Sequence, residues 1–329
     1  MAIYFVLLLV GFVILIKGAD VMVGGASSLA KRWNVSALII GLTVVAFGTS
    51  APEMTVNVIN SYHGRNDAIF GNIIGSNMFN LLFILGITGL IYPLVVQKSS
   101  VKYEVPFSFA GIVLLWVLVN DQLIWGSDHN LLSRSDAFIL FIGFLIFLGY
   151  IYRSLSKKTE IDEEPIKEYT VTRSISMVLV GISMLIGGGY LVTENAVLIA
   201  KEFGLSEKLI GLTILAIGTS LPELATTVVA ALKRRTDIAI GNIIGSNIFN
   251  IFLILSVNGL ISPIAYPEHQ HETHVEHAVL NTDLYVLGIG TIALLASMFT
   301  LSRNKIDRWE ALGFFLMYIG YTYYLIVRN

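Results

Sequence analysis

The 329-residue sequence contains no cysteine, and only 13% of its residues carry a charge. The absence of thiols excludes disulfide bonds, catalytic cysteines and cysteine-ligated metals. A soluble domain has roughly 25% charged residues, whereas 55% of this chain is hydrophobic. We therefore expect an integral membrane protein surrounded by the lipid bilayer. A net charge of −2 gives no indication of a charged partner, and we expect no nucleic acid to bind.

Apolar runs long enough to cross a bilayer, about 20 residues, recur along the whole chain. Because unpaired backbone groups are costly in lipid, such runs are expected to form helices. The first charged residue is Lys17, so the N-terminal run lacks the basic start of a signal peptide and is interpreted as a retained span. The pattern predicts an all-α membrane protein with ten transmembrane helices, at residues 3–28, 36–61, 69–92, 104–120, 136–153, 174–200, 207–232, 239–262, 282–301 and 308–327.

The distribution of lysine and arginine over the connecting loops predicts the orientation of these helices. Fifteen of the 21 basic residues fall on the side that holds the stretch 154–173, and five fall on the other side. Cytoplasmic loops carry the excess of basic residues. We therefore predict that both termini lie outside and that residues 154–173 form a cytoplasmic linker.

The two halves of the chain contain copies of one segment. When residues 211–263 are placed on residues 41–93, a shift of 170 positions without a gap, 27 of the 53 positions are identical. Each copy belongs to a unit of five predicted spans, 1–153 and 174–329. Because five is odd, the second unit must enter the membrane from the opposite side. Inverted repeats of this kind are typical of secondary transporters, whose binding site lies at the midplane where the repeats meet.

The most similar stretches of the two copies place a proline and a glutamate inside an apolar run. They read GTSAPE at 48–53 and GTSLPE at 218–223. Proline has no N–H, so each helix is expected to break there and to free a backbone carbonyl. Irregular backbone at membrane depth is tolerated only where it faces protein or a water-filled cavity, and a carboxylate there is functional by default. We therefore predict that Glu53 and Glu223 lie in a binding site.

The next span of each copy carries a polar stripe that we expect to face these breaks. The residues of a stripe are spaced by four, which places them on one helix face. Glycines at 71 and 75, and at 241 and 245, would allow a neighbouring helix to approach closely. Hydrogen bonding between helices, without ion contact, is the alternative for the asparagines, including Asn77 and Asn247. The stripes consist of Asn72, Ser76 and Asn80 and of Asn242, Ser246 and Asn250.

Together these segments offer carboxylates, hydroxyls, amide oxygens and backbone carbonyls, which is an all-oxygen ligand set. Such a set suits Ca²⁺, which takes roughly 6–8 oxygen ligands, and it also suits Na⁺. Soft transition metals have no suitable ligand in it. Two carboxylates in one apolar site would repel each other, and a cation between them removes that penalty. The pattern predicts one cation site built from two half-sites.

At these residues the chain resembles the cation/calcium exchanger superfamily, and within it a compact prokaryotic sodium/calcium exchanger. The paired GTS-x-PE and GN-x-x-GSN stretches carry the resemblance, which extends over nearly the whole chain through the count of spans. It implies a multi-pass protein of a prokaryotic plasma membrane that can act as a monomer. It further implies that Ca²⁺ and Na⁺ are transported without a cofactor and are bound by Glu53, Glu223, Thr49, Ser50, Ala46, Ser76, Asn80, Thr219, Ser220, Ala216, Ser246 and Asn250.

The resemblance implies an antiporter, and not an enzyme, that exchanges Na⁺ for Ca²⁺ by alternating access. Spans one and six would slide against the ion-binding helices on their glycines, at 24–25 and 187–189. An asparagine at 250, where some relatives have aspartate, argues against potassium dependence. A proton-driven Ca²⁺ exchanger is an alternative, because a carboxylate in an apolar site can titrate near neutral pH. A cation channel is a further alternative, although broken helices in inverted repeats favour a transporter.

Three other polar features lie outside this pattern. Lys17, Asp20 and Glu194 lie in spans one and six, where structural pairing or lining of a cavity is expected rather than ion binding. The stretch 268–277 contains four histidines, for which metal binding and pH sensing are alternatives to a solvated loop. The acidic run 162–164 is expected to belong to a solvated linker.

Overall fold

The computed structural model describes residues 2–155, 167–203, 216–266, 269–271, 274–276, 280–300 and 304–328. The acidic run 162–164 and most of the linker 154–173 lie outside these residues. The described parts are mostly helical, since a helix satisfies its backbone hydrogen bonds internally. The helices are α1 (Ala2–Trp33), α2 (Ala37–Thr49), α3 (Ala51–Tyr62), α4 (Asn66–Ile91), α5 (Ser100–Leu118), α6 (Asp121–Trp125), α7 (Arg134–Ser154), α8 (Val171–Glu202), α9 (Ala216–Gly218), α10 (Leu221–Leu232), α11 (Thr236–Ile261), α12 (Asn281–Ser297) and α13 (Arg308–Arg328).

Six of these helices, α1, α4, α5, α7, α8 and α11, are long and apolar enough to cross a membrane, and the bent pair α2 and α3 makes a seventh. Both α10 and α12 are shorter apolar helices, of 12 and 17 residues. The predicted span 207–232 lies partly outside the described residues, and α12 ends at Ser297 rather than at 301. Ten spans and external termini therefore stay predictions.

The helical fold also contains short antiparallel strand pairs in its loops, which the sequence did not predict. In the first two pairs one residue of each strand is buried and the next is not, as the alternation of a strand requires. The histidine-rich loop contains a hairpin in which His271 lies opposite His274. The pairs are β1 (Leu94–Val95) with β6 (Lys305–Ile306), β2 (Leu131–Leu132) with β3 (Ile264–Ala265), and β4 (His269–His271) with β5 (His274–Glu276).

Helices α4 and α11, the equivalent helices of the two copies, lie at the centre of the molecule. Nearly every residue of α11 is buried. Each helix contains a π-helical segment, Phe79–Ile84 in α4 and Phe249–Ile254 in α11. Such wider turns are frequent at functional sites. The second residue of each segment is an asparagine of the predicted site, Asn80 or Asn250.

Helices α1 and α8 pack against each other as a long antiparallel pair. A Cβ placed on Gly188 would lie 2.7 Å from the backbone nitrogen of Leu15. A Cβ on Gly18, the equivalent residue of the first copy, would lie 3.0 Å from the carbonyl oxygen of Gly181. Small residues permit such contact between helix backbones in a membrane. The two helices therefore form a closely packed unit.

The glycines predicted to slide against the ion-binding helices lie mostly in this interface instead. Gly25 and Gly188 lie against the partner helix, and Gly24 approaches only a side chain, that of Met177. Gly189 faces Pro222 of α10. No described atom lies within 4 Å of where a Cβ on Gly187 would be, and the sliding of these helices stays a prediction.

The two copies differ in one neighbour. Helix α1 packs along α10, whereas the described residues show no comparable packing of α8 along the equivalent helix α3. Val229 of α10 is accordingly 9% exposed, and its equivalent on α3, Ile59, is 50% exposed. Asp20 of α1 forms an ion pair with Lys233 beside this contact, with 2.8 Å between Nζ and Oδ1. Asp20 thus has the structural partner expected from the sequence, whereas Lys17 is exposed on the surface of α1.

Candidate cation-binding site

Both proline-containing stretches break their helices at the serine. The axis bends by 46° between α2 and α3. The backbone angles are nearly the same in the two copies, φ −81° and ψ 6° at Ser50 and φ −92° and ψ 7° at Ser220. The proline follows in the first turn of α3 or α10, where its missing N–H is not needed. The break predicted from the sequence is therefore confirmed in both copies.

The two glutamates lie in the first turns that follow these breaks and are shielded from solvent. Glu53 is 0% exposed and Glu223 is 1% exposed. The positive end of a helix dipole stabilises a carboxylate at this position. The two carboxylates are close enough to interact electrostatically, so each half-helix directs a carboxyl group to the same buried region.

Serine hydroxyls link each glutamate to the opposite copy. Ser50 Oγ donates to Glu223 Oε1 over 3.0 Å, and Ser220 Oγ donates to Glu53 Oε1 over 2.9 Å. Ser246 Oγ reaches Glu223 Oε1 over 3.4 Å, and Ser76 Oγ lies at hydrogen-bond distance, 3.0 Å, from Ser220 Oγ. The hydroxyls predicted as ligands therefore meet both carboxylates.

The threonines of the two motifs make the same kind of bond between copies. Thr49 Oγ1 donates to Asn242 Oδ1 over 3.0 Å, and Thr219 Oγ1 donates to Asn72 Oδ1 over 3.2 Å. The polar stripes of α4 and α11 therefore face the breaks, as predicted. Each stripe contacts the motif of the other repeat, which the sequence did not indicate.

A layer of four buried asparagines completes the cluster. Asn80 Nδ2 donates to Asn247 Oδ1 over 3.1 Å, and Asn250 Nδ2 donates to Asn77 Oδ1 over 2.9 Å. The shift of 170 residues converts one of these bonds into the other. The sequence-based set of ligands did not include Asn77 and Asn247, although both occur in the duplicated GSN stretch.

Four buried oxygens of this cluster have no hydrogen-bond partner among the described residues. Buried polar atoms without a partner are rare and costly. No hydroxyl or amide N–H of the described residues donates a hydrogen bond to these oxygens. They form two equivalent pairs, Oε2 of Glu53 and Glu223 and Oδ1 of Asn80 and Asn250. Their positions and chemistry suit a hard cation.

The structure says less about Ala46 and Ala216, the two alanines predicted as ligands, than about the polar side chains. The carbonyl oxygen of Ala46 accepts from the backbone N–H of Ser50 over 3.0 Å and from Thr49 Oγ1 over 3.2 Å. Ala216 begins α9, and its surroundings lie outside the described structure.

No group of three or more His, Cys, Asp or Glu side chains that could hold a metal occurs in the described parts of the chain. Ligation here would therefore depend on two carboxylates and neutral oxygens.

The fold and this cluster define a helical membrane protein with an oxygen-rich site shared by two copies of one repeat. Residues 3–153 and 173–327 match the sodium/calcium exchanger protein family, and the chain belongs to this family. The family consists of membrane transporters rather than enzymes, and its substrates are Ca²⁺ and Na⁺. The resemblance inferred from the sequence is thereby confirmed.

Individual relatives cover nearly the whole chain. It is 38% identical to the antiporter candidate CaxA of Alkalimonas amylolytica, over 97% of this chain and 98% of that protein. It is 30% identical to the sodium/calcium exchanger MaX1 of Methanosarcina acetivorans, over 96% and 97% of the two proteins. A solved structure of the sodium-calcium exchanger NCX_Mj soaked with Na⁺ matches with a TM-score of 0.78 and 29% identity, over 97% of this chain and 98% of that one. Other structures of NCX_Mj come from soaks that include Ca²⁺ or Sr²⁺.

Proposed function

We propose that this protein is an antiporter that exchanges Na⁺ for Ca²⁺ across a prokaryotic plasma membrane. The observation that carries the proposal is the set of four unpaired buried oxygens contributed by Glu53, Glu223, Asn80 and Asn250. They come in equal numbers from the two copies. Membership of the sodium/calcium exchanger family and the similarity to MaX1 support the same ions.

The charge of the cluster accounts for exchange. Ca²⁺ with two carboxylates is neutral, so the occupied site can be enclosed in a medium of low dielectric constant. Two unneutralised carboxylates in such a medium repel each other and lose their hydration. Sodium ions on the same oxygens restore neutrality, and therefore we expect the protein to change sides only when Ca²⁺ or Na⁺ is bound.

The difference between the two copies supports alternating access. Helix α1 covers α10, and the equivalent face of α3 is not covered in the same way. If both termini lie outside, α10 forms the cytoplasmic half of its span and α3 forms the external half. The structure then corresponds to a state that is closed towards the cytoplasm. In the opposite state we expect α8 to pack on α3 and α1 to leave α10.

Exchange of Ca²⁺ for protons is a second candidate with a specific observation in its favour. Glu53 Oε2 and Glu223 Oε2 both lack a hydrogen-bond partner among the described residues. Such an oxygen can bind a proton in place of a metal ion. The same two residues would then carry the coupling ion. The two candidate functions differ only in whether a Na⁺ gradient or a proton gradient drives the transport of Ca²⁺.

The test is ⁴⁵Ca²⁺ uptake into proteoliposomes loaded with Na⁺, compared with vesicles loaded with K⁺, with and without a pH gradient. We expect uptake only from Na⁺-loaded vesicles. Uptake driven only by the pH gradient would replace the coupling ion, and uptake without either gradient would indicate a channel.

The matched mutants are Glu53→Gln, Glu223→Gln and Glu194→Gln. We expect each of the first two to lower exchange by at least about 30-fold, because breaking a buried charged pair costs roughly 2–5 kcal/mol. Glu194 is exposed on α8, and its replacement should leave exchange unchanged. Parent-level exchange by Glu53→Gln would refute the assignment of the site.

A further inference from the structure

Asn77 and Asn247 follow the serines of the two polar stripes and were not among the expected ligands. Asn77 is fully buried, and Asn247 is nearly so. Each accepts a hydrogen bond through its side-chain oxygen from the asparagine at the centre of the opposite copy. Their own contacts are therefore with other amides, one step away from the carboxylates.

A side-chain amide has an accepting end and a donating end, and its partners decide which end points where. The amino group of Asn80 is directed at Asn247, which leaves the Asn80 oxygen without a described partner. The amino group of Asn250 is likewise directed at Asn77, and the Asn250 oxygen is unpaired. If either amide rotated by half a turn, an N–H group would replace that oxygen.

The orientation of Asn247 is itself fixed by the backbone. Its Nδ2 lies 3.4 Å from the main-chain carbonyl oxygen of Asn77, and a carbonyl can only accept a hydrogen bond. The side-chain oxygen of Asn247 must therefore face Asn80. The hydrogen bonds therefore form a chain from the Asn77 carbonyl in the backbone of α4, through the Asn247 side chain of α11, to the Asn80 side chain of α4.

We propose that Asn247 and Asn77 are positioning residues that hold Asn80 and Asn250 with their oxygens towards the cation. An N–H in that place would repel a cation and remove a ligand. The proposal rests on the function proposed above, because it presumes that a cation binds among these oxygens. It extends that function by assigning affinity for the cation to two amides that do not touch it.

The test is a pair of double-mutant cycles read out by equilibrium binding of ⁴⁵Ca²⁺ to purified protein. In the first cycle, Asn247→Leu removes the acceptor for Asn80. We expect the dissociation constant to rise about tenfold or more, because the Asn80 amide is then free to turn its N–H towards the cation, and the oxygen contact that is lost is one to a charged group. Asn80→Asp gives both ends of the side chain an oxygen, so its orientation no longer matters. In that background residue 80 has no N–H to donate to Asn247, so Asn247→Leu should not raise the dissociation constant by more than about twofold.

The second cycle uses Asn77→Leu with Asn250→Asp and decides the question if the first variant does not fold. Asn195→Leu is the control for placing leucine at a buried asparagine, because Asn195 donates to the Leu191 carbonyl of its own helix and to no site residue in the described part of the chain. We expect it to bind Ca²⁺ like the parent.

The outcomes separate this inference from the proposed function. An equal loss of affinity in the asparagine and aspartate backgrounds, or no loss in either, would overturn the positioning role. If the parent protein bound no Ca²⁺ and carried out no Na⁺-dependent exchange, the proposed function would fail first. Exchange assays add a further distinction, since a positioning role raises the Ca²⁺ concentration for half-maximal rate, whereas misfolding lowers the maximal rate.

Discussion

The contact between α1 and α8 can be tested by placing one methyl group at two adjacent positions. In Gly188→Ala the new Cβ would lie 2.7 Å from the Leu15 nitrogen and 3.0 Å from the Gly11 oxygen, which are both backbone atoms. In Gly187→Ala the new Cβ would meet no described atom within 4 Å. The two variants have the same composition and differ only in the side of α8 that changes.

The expected effects have opposite signs. Alanine in a helix is favoured over glycine by about 1 kcal/mol, which both variants gain. Ordinary carbon contacts are about 3.5–4.0 Å long, so Gly188→Ala must separate two backbones by roughly 1 Å. Overpacking of this kind costs about 1–3 kcal/mol and commonly exceeds the gain. With about 2.1 cal/mol/K of unfolding entropy per residue, 1 kcal/mol corresponds to roughly 1.5 °C for a chain of this length.

The measurement is the temperature at which half of the detergent-solubilised protein loses its monodisperse elution. We expect Gly187→Ala to match or slightly exceed the parent, and Gly188→Ala to lie about 1.5–4.5 °C below Gly187→Ala. Exchange should also fall in Gly188→Ala, because the two helices can no longer pack as one unit. Equal stability of the two variants would show that backbone contact at Gly188 does not hold the helices together.

Two further predictions concern the carboxylates and the contact of α1 with α10. Ser220→Ala removes the hydroxyl that donates to Glu53 Oε1, and we expect the Ca²⁺ affinity to fall by about tenfold, as measured by equilibrium binding. Lys233→Ala removes the ion pair that ties α10 to α1. The reporter is a cysteine placed at Val229, on the face of α10 that α1 covers. Its labelling rate should rise by up to about fivefold, since an exposed ion pair contributes at most about 1 kcal/mol. The chain has no natural cysteine that would react. Lys305→Ala is the control, because it breaks the ion pair between Lys305 and Asp307 at the end of β6, and it should leave the labelling rate unchanged.

The sequence predicts the breaks and the carboxylates well because both depend on local chemistry. Proline determines where a helix can continue, and an apolar neighbourhood makes a glutamate conspicuous. The spacing of four in the polar stripes likewise places Ser76 and Asn80 on one face, and the structure brings both into the cluster. The gapless duplication then identifies the equivalent of each residue in the other copy.

The contacts between the copies could not be predicted in the same way. Asn77 and Asn247 lie beside the stripe, and their importance depends on how two distant helices are aligned in space. The duplicated sequence also treats α3 and α10 as equals, although α1 covers only one of them. The short strand pairs β1–β6 and β2–β3 join loops more than a hundred residues apart, and two-residue strands leave no periodic pattern.

The position of α8 explains how occupancy of the site can reach helices that contribute no ligand. All predicted ligands lie outside α1 and α8, yet α8 contacts both breaks. A Cβ on Gly48, at the start of the first motif, would lie 2.5 Å from the side chain of Ile182, and one on Gly218 would lie 2.4 Å from that of Thr193. The motif glycines are thus needed for α8 to approach the segments that hold the carboxylates. Because α8 is packed tightly on α1, we expect a change in either half-site to act on both helices together, and α1 is the helix that covers α10.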